Sequence, residues 1–187
     1  MKLERLSMPE VILISPEVRS DTRGAFLECW QSTRYSAAGL PTTWVQDNVS
    51  RSHRDVLRGL HFQHPRGQGK LVSVMAGEII DVAVDVRRGS PTFGRSLAVT
   101  LSAIVAQQLY IPPGFAHGFI VTSDEATVHY KCTEFYVPEC EHTIAWNDTA
   151  LGIAWPVASP VLSPRDAAAR RLAELASDEL PEFAADR

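Results

Sequence analysis

Residues 79–86 read Ile-Ile-Asp-Val-Ala-Val-Asp-Val. On an extended chain successive side chains point to opposite faces. Ile80, Val82, Val84 and Val86 therefore share one side, and Asp81 and Asp85 share the other. This period of two predicts a strand with two unlike faces. Residues 127–137 repeat the pattern, with Val128, Tyr130, Cys132, Glu134 and Tyr136 on one side. Shorter β-rich runs occupy 11–14, 25–30, 44–48, 56–63, 71–75, 97–101, 109–111, 118–122 and 143–146. Eleven Gly and twelve Pro are spread between them, as closely spaced turns require. Many short strands at near-regular spacing predict an all-β sandwich or barrel.

Few helices are expected. Residues 32–39 fit a short one and 163–176 a longer one. Ser163 suits the N-cap, Pro164 the first helical position, and Asp166 stands three residues past the cap. Ala168, Leu172 and Leu175 then form an apolar stripe.

The chain has 187 residues, enough for one domain with a substantial core. No internal repeat, low-complexity tract or linker divides it, so residues 1–187 are expected to form a single domain. The acidic last dozen, 176–187, are expected to be loosely held. Eighteen basic and 22 acidic residues give a net charge of −4. That leaves no cationic surplus to neutralise a nucleic-acid backbone, so nucleic acid is not an expected partner. No apolar run approaches the roughly 18 residues of a membrane helix, and Lys2, Glu4 and Arg5 do not suit a signal peptide. Cys29, Cys132 and Cys140 are an odd, sparse set, which fits a reducing cytoplasm.

Residues 57–71, LRGLHFQHPRGQGKL, gather Arg58, His61, His64, Arg66 and Lys70. A histidine beside an apolar face acts as a base near neutral pH, and a nearby lysine stabilises a developing oxyanion. The same string also fits an exposed basic hairpin. Arg58 and His61 have opposite parity, so both reach one pocket only if the strand bulges, with Gly59 the natural place. In 110–119, YIPPGFAHGF, the Pro112-x-Gly114-x-x-His117 spacing resembles the second motif of the cupin barrel. The His-x-His pair of metal-binding cupins is missing, because two residues separate His61 from His64. Asp166 fits either a helix cap or a carboxylate that orients a histidine.

The ordered segments DTRGAFLECW, VQDNVSRS, VLRGLHFQ, QGKL, DVAVDVRRGSPTFG, YIPPGFAHGF, VHYKCTEFY, IAWND, GIAWP and LSPRD together closely resemble the dTDP-4-dehydrorhamnose 3,5-epimerases. The likeness runs from about residue 9 to 169. It implies a cupin-like double-stranded β-helix, or jelly-roll, barrel with a few short helices, one near the C-terminus. It also implies an isomerase that needs no cofactor or metal, acts on a dTDP-4-keto-6-deoxyhexose, and forms a homodimer in which one subunit lends a strand to the other's sheet.

By that resemblance His61 is the base, Asp166 its carboxylate partner, Lys70 the lysine after Gln-Gly, and Tyr130 the acid on the opposite face of the sugar. Ligand contacts fall on Arg23, Phe26, Glu28, Gln46, Asn48, Arg58, His117, Glu141 and Arg165, and Tyr136 matches a tyrosine that stacks on thymine. Arg165 stands where lysine is usual, which keeps the charge but changes reach and geometry. Phe135-Tyr136 replaces a frequent Tyr-Tyr, and Ala25 fills a position that is often aromatic.

The implied reaction uses the C4 ketone as its own electron sink. His61 removes a hydrogen α to the ketone, Lys70 stabilises the enolate oxygen, and Tyr130 returns a proton from the other side. Arginines suit the diphosphate and an aromatic face suits the thymine. Three other readings remain at this stage. The first is an epimerase acting at C5 or C3 alone. The second is a metal-dependent cupin using His61, His64, Glu78 and His117. The third is a sugar-nucleotide-binding barrel without catalysis.

Overall fold

The computed structural model describes residues 1–184 and contains thirteen strands. In chain order these are β1 (Lys2–Arg5), β2 (Ile12–Ser15), β3 (Val18–Asp21), β4 (Gly24–Leu27), β5 (Gln46–His53), β6 (Leu57–Gln63) and β7 (Lys70–Ala76). They continue as β8 (Glu78–Asp85), β9 (Ser96–Ser102), β10 (Gln108–Ile111), β11 (Phe115–Val121), β12 (Glu125–Cys132) and β13 (Glu141–Thr143). One sheet has the order β1-β2-β10-β7-β12-β5 and a second β13-β6-β11-β8-β9, while β3 and β4 form a separate hairpin. The strand pairings within these sheets are antiparallel.

The two large sheets face each other. Val72 and Val74 from β7, with Ala126 and Val128 from β12, pack against Ile79 and Ala83 from β8 and Phe115, Phe119 and Val121 from β11. The expected alternation on β8 is present, but both of its faces are buried. Ile79, Asp81 and Ala83 point into the barrel. Val82, Val84 and Val86 pack outward beneath Ile144, Leu151, Leu172, Leu175 and Leu180. A third cluster joins Ile12, Ile14, Leu71 and Tyr110 to Tyr35 and Leu40.

Helix α1 (Ser32–Ala37) falls within the expected 32–39, and the Gln31 side chain caps it by accepting from the Arg34 N–H at 2.7 Å. The expected helix at 163–176 is shorter. Only α2 (Pro164–Ala167) is helical, followed by a 3₁₀ turn at Leu172–Glu174. Tertiary pairing overrides helix propensity here. Arg170 bridges to Ile144, the Ala145 N–H donates to the Arg170 carbonyl, and buried Asp148 accepts from the Leu172 N–H at 2.9 Å. Leu172 and Leu175 reach the core, but not along one helical stripe. The acidic tail also differs from expectation as far as it is described. Leu180 enters the core, the Phe183 N–H donates to the Arg88 carbonyl, and Arg87 lies between the Phe115 and Phe183 rings. Residues 185–187 of that expected tail lie outside the described residues.

The run expected as a strand over 127–137 ends at Cys132. Beyond it the Thr133 hydroxyl accepts from the Gly69 N–H at 2.8 Å, and the chain turns through a 3₁₀ turn at Pro138–Cys140. Tyr136 is therefore on a loop and not on the Tyr130 face of β12.

Candidate active site

Between the sheets, at one end of the barrel, lies a cavity of about 210 Å³. It is lined by Arg58, His61, Lys70, His117, Phe119, Tyr130, Ser163, Arg165 and Asp166. Parity explains the meeting. Lys70 shares its face of β7 with Val72 and Val74, and Tyr130 shares its face of β12 with Val128, so both point into the barrel from the first sheet. His117 lies between Phe115 and Phe119 on the inward face of β11, and His61 of β6 is its cross-strand partner.

Arg58 joins them through the expected irregularity. His61 pairs with His117 but Arg58 pairs with Phe119, so two residues on β6, Gly59 and Leu60, stand opposite one on β11, Gly118. The bulge sits at Gly59, whose φ is +115°. A Cβ there would lie 2.6 Å from both the Gly118 Cα and the His117 carbonyl oxygen. Only glycine accepts that approach and that backbone angle.

The helix that starts at Pro164 delivers the carboxylate. Ser163 caps it by accepting from the Asp166 N–H at 3.1 Å, and the Asp166 side chain is left free to turn into the cavity. There Asp166 Oδ1 meets His61 Nε2 at 2.6 Å. The two readings of Asp166 thus merge: its backbone belongs to the cap and its carboxylate to the histidine. Burial pushes the Asp166 carboxyl up, but the His61 hydrogen bond and charge, Ser163 and the Gly59 backbone outweigh it and hold the group below the usual carboxylate range. The other ring nitrogen, His61 Nδ1, lies 3.9 Å from Glu141 Oε1.

Across the cavity, burial raises the Tyr130 phenol, with Cys132 and Glu141 acting the same way and Arg58 against them. Tyr130 is therefore a neutral O–H at physiological pH. Burial lowers the Lys70 ammonium, opposed by Cys132, Glu141 and Asp81. His117 Nε2 is 2.7 Å from Asp81 Oδ1, with both groups buried. Burial lowers the His117 imidazole, Asp81 opposes this, and Lys70 and His61 add to it.

The family profile described as dTDP-4-dehydrorhamnose 3,5-epimerase matches residues 5–174. The chain belongs to the dTDP-4-dehydrorhamnose 3,5-epimerase family. It is 50% identical over 176 residues to the dTDP-4-dehydrorhamnose 3,5-epimerase of Pseudomonas aeruginosa, covering 93% of this chain and 97% of that one. It is likewise 50% identical over 169 residues to the Neisseria gonorrhoeae protein of that name, covering 90% of this chain but 52% of that longer relative. The crystal structure of a dTDP-6-deoxy-D-glucose-3,5-epimerase from Legionella pneumophila Philadelphia 1, in complex with dTDP-4-keto-L-rhamnose, superposes with a TM-score of 0.95 at 48% identity. That match covers 98% of this chain and 99% of that one. The protein is an isomerase with the cupin-type barrel of these epimerases.

Relative to this epimerase cavity the remaining expected residues fall into two groups. Glu141, Tyr136, Gln46 and Asn48 form a hydrogen-bonded cluster beside the lining residues Arg165 and Tyr130. Glu141 accepts from Arg165 and, at 2.6 Å, from the Tyr136 hydroxyl. Gln46 accepts from the Tyr136 N–H at 2.8 Å and donates to Asn48 at 3.0 Å, and Asn48 pairs with Tyr130 across β5 and β12. The second group does not reach the cavity. Arg23, Phe26 and Glu28 lie on or beside the β3–β4 hairpin, where Arg23 pairs with Asp21, Glu28 pairs with Arg34, and Phe26 is 72% exposed.

Of the set expected for a metal-dependent cupin only His61 and His117 line the cavity. The His64 carbonyl is 3.1 Å from His142 Nε2, and Glu78 accepts from Thr122 on the surface. Among the described residues no group of three His, Cys, Asp or Glu is arranged to hold a metal ion. Sequence reasoning passed over Phe119 and Ser163 as cavity residues, and Asp81 as the buried partner of His117. The signal for Asp81 was available in the alternation of 79–86, where a buried aspartate breaks an apolar face.

Proposed function

We propose that this cavity takes dTDP-4-keto-6-deoxy-D-glucose and inverts C3 and C5 to give dTDP-4-keto-L-rhamnose. The observation that carries the reading is the short His61–Asp166 pair on one wall, facing Tyr130 and Lys70 on the other. Asp166 commits Nε2, so Nδ1 is the nitrogen that takes the proton α to the ketone. The electron pair moves onto the C4 oxygen, where the Lys70 ammonium stabilises it. A donor of this kind contributes about 2.7–4 kcal/mol in known oxyanion sites. Asp166 stabilises the imidazolium that forms. The Tyr130 O–H then returns a proton from the opposite side and the centre inverts. The ketone supplies the electron sink, so the chemistry calls for no redox cofactor.

Arg58, His117 and Arg165, with Gln46, Asn48 and Glu141 beside them, hold the sugar and diphosphate, and Tyr136 stacks on the thymine. Arg23, Phe26 and Glu28 serve the cavity of a second copy, because on their own chain they stand on or beside a hairpin away from it, with Arg23 and Phe26 exposed. The working unit is then a homodimer, built from one catalytic domain per chain. The three free cysteines favour a cytoplasmic setting.

The test is proton NMR of the ketosugar with the enzyme in deuterated water. Wild type should wash deuterium into C3 and C5 and yield the inverted product, and folded His61→Ala should do neither. Exchange at one carbon alone would replace this reading with that of a single-centre epimerase. Tight nucleotide binding without exchange would overturn catalysis altogether.

A further inference from the structure

Asp81 is fully buried in the barrel, and the epimerisation just described gives it no role. A buried carboxylate is costly unless both oxygens are served. Oδ1 meets His117 Nε2 at 2.7 Å, whereas Oδ2 has no hydrogen-bond partner. A buried polar atom left this way calls for an explanation. Asp81 lies on the inward face of β8 with Ile79 and Ala83, and its partner His117 lines the same cavity as Lys70.

We propose that Asp81 is a positioning residue for the epimerisation: one carboxylate oxygen fixes the His117 ring, and the charge on the other steadies the ammonium of Lys70. The proposal rests on the epimerase reading above, because it assigns Lys70 its charged form during turnover. Asp81 does not touch the reacting atoms. Among the described residues no carboxylate lies within 4.0 Å of the Lys70 nitrogen, so the charge acts across a short gap and not by contact. This matters because burial works against the ammonium, and Asp81 is one of the few groups opposing it, with Cys132 and Glu141. His117, His61, Arg58, Arg165, Tyr130 and Asp166 also face the lysine from the elements around it. His117 is held as a neutral ring, so it adds no positive charge beside Lys70. A second imidazole–carboxylate pair thus serves the lysine, as the first serves the base.

The sequence contains only three lysines, Lys2, Lys70 and Lys131, so Lys70 can be followed directly by NMR of protein labelled with [¹³C]lysine. In Asp81→Asn, which keeps an acceptor for His117, the Lys70 titration should move down by about one pH unit or more. The alkaline limb of kcat should move down with it. At pH above both Lys70 titrations kcat should fall about tenfold while KM changes less than about threefold. A purely structural role would lower Tm and leave the lysine titration in place. An unmoved Lys70 titration in folded Asp81→Asn overturns the proposal. Where Asp81→Asn does not fold, Asp81→Ser reads the same Lys70 titration, and an unmoved Lys70 there overturns the proposal. Both titrations are recorded without substrate. They decide the role of Asp81 independently of whether the wild type epimerises the ketosugar, and a wild type inert toward that sugar would sink the functional reading alone.

Discussion

Asp166→Asn removes one negative charge from beside His61 while keeping the size of the side chain and the N–H that Ser163 caps. The lost contact is the 2.6 Å bond between Asp166 Oδ1 and His61 Nε2, with the aspartate side chain 4% exposed. A hydrogen bond to a charged group contributes about 1.5–3 kcal/mol, and more where solvent is excluded. The contribution is largest when His61 carries the abstracted proton, so it belongs mostly to the transition state and not to substrate binding. At 1.36 kcal/mol per decade, this range predicts a loss in kcat of about 10- to 150-fold. The loss is larger if the asparagine presents its NH₂ group to Nε2, because that forces the proton onto Nδ1, the nitrogen that must receive one. Affinity for dTDP, measured by calorimetry, should stay within about threefold of wild type, since Asp166 faces the base. Deuterium wash-in at C3 and C5 and inversion should fall together, because both follow proton removal. If folded Asp166→Asn turns over within about threefold of wild type, the carboxylate does not support the base and the dyad is only a structural bond.

The other expectations concern the opposite wall, the bulge and a buried turn. Tyr130→Phe should reduce inversion more than deuterium wash-in, since the buried, neutral O–H is assigned to the return step; an equal fall in both would remove Tyr130 from that step. Gly59→Ala should cost on the order of 2–4 kcal/mol through positive φ and backbone collision, lowering Tm by about 4 °C or more; an unchanged Tm would mean that the close approach is not needed. Buried Asp85 accepts from Arg87, from Ser90 at 2.5 Å and from Thr92 at 2.6 Å. Burial pushes its carboxyl up, but these bonds prevail and hold it below 3.8. Its contribution to stability is therefore present above pH 3.8 and lost as pH falls through the lower, folded-state value. The Tm gap between wild type and Asp85→Asn should be wide at pH 7 and close in strong acid, and a gap independent of pH would contradict this.

What could be read from the chain depended on whether a segment has a buried face. The alternation in 79–86 led directly to the barrel, and the opposite parity of Arg58 and His61 led to the bulge at Gly59, because packing leaves a period in the residues it buries. Strands β1 and β3 left none. All eight of their residues are exposed, so no alternation distinguishes them from loops. The run at 163–176 failed for another reason: its local helical preference is genuine, but Ile144 and Asp148, more than twenty residues earlier, claim Arg170 and Leu172. The site divides in the same way. His61, Lys70, Tyr130 and Asp166 are brought together by register within one chain; spacing pointed to His61 and Lys70, while Asp166 stayed open between cap and histidine partner and Tyr130 rested on the family resemblance. For Arg23, Phe26 and Glu28 only the family resemblance spoke, since nothing within a single chain draws an exposed hairpin to its own cavity. Phe26 sharpens the point. A phenylalanine 72% open to water in a well-packed chain is costly to leave uncovered, while the cavity edged by Arg58 and Arg165 takes its apolar lining, among the described residues, from Phe119 and the Tyr130 ring. A second copy supplying the hairpin would bury the ring and complete the pocket in one step, so dimer dissociation and loss of turnover should coincide on dilution.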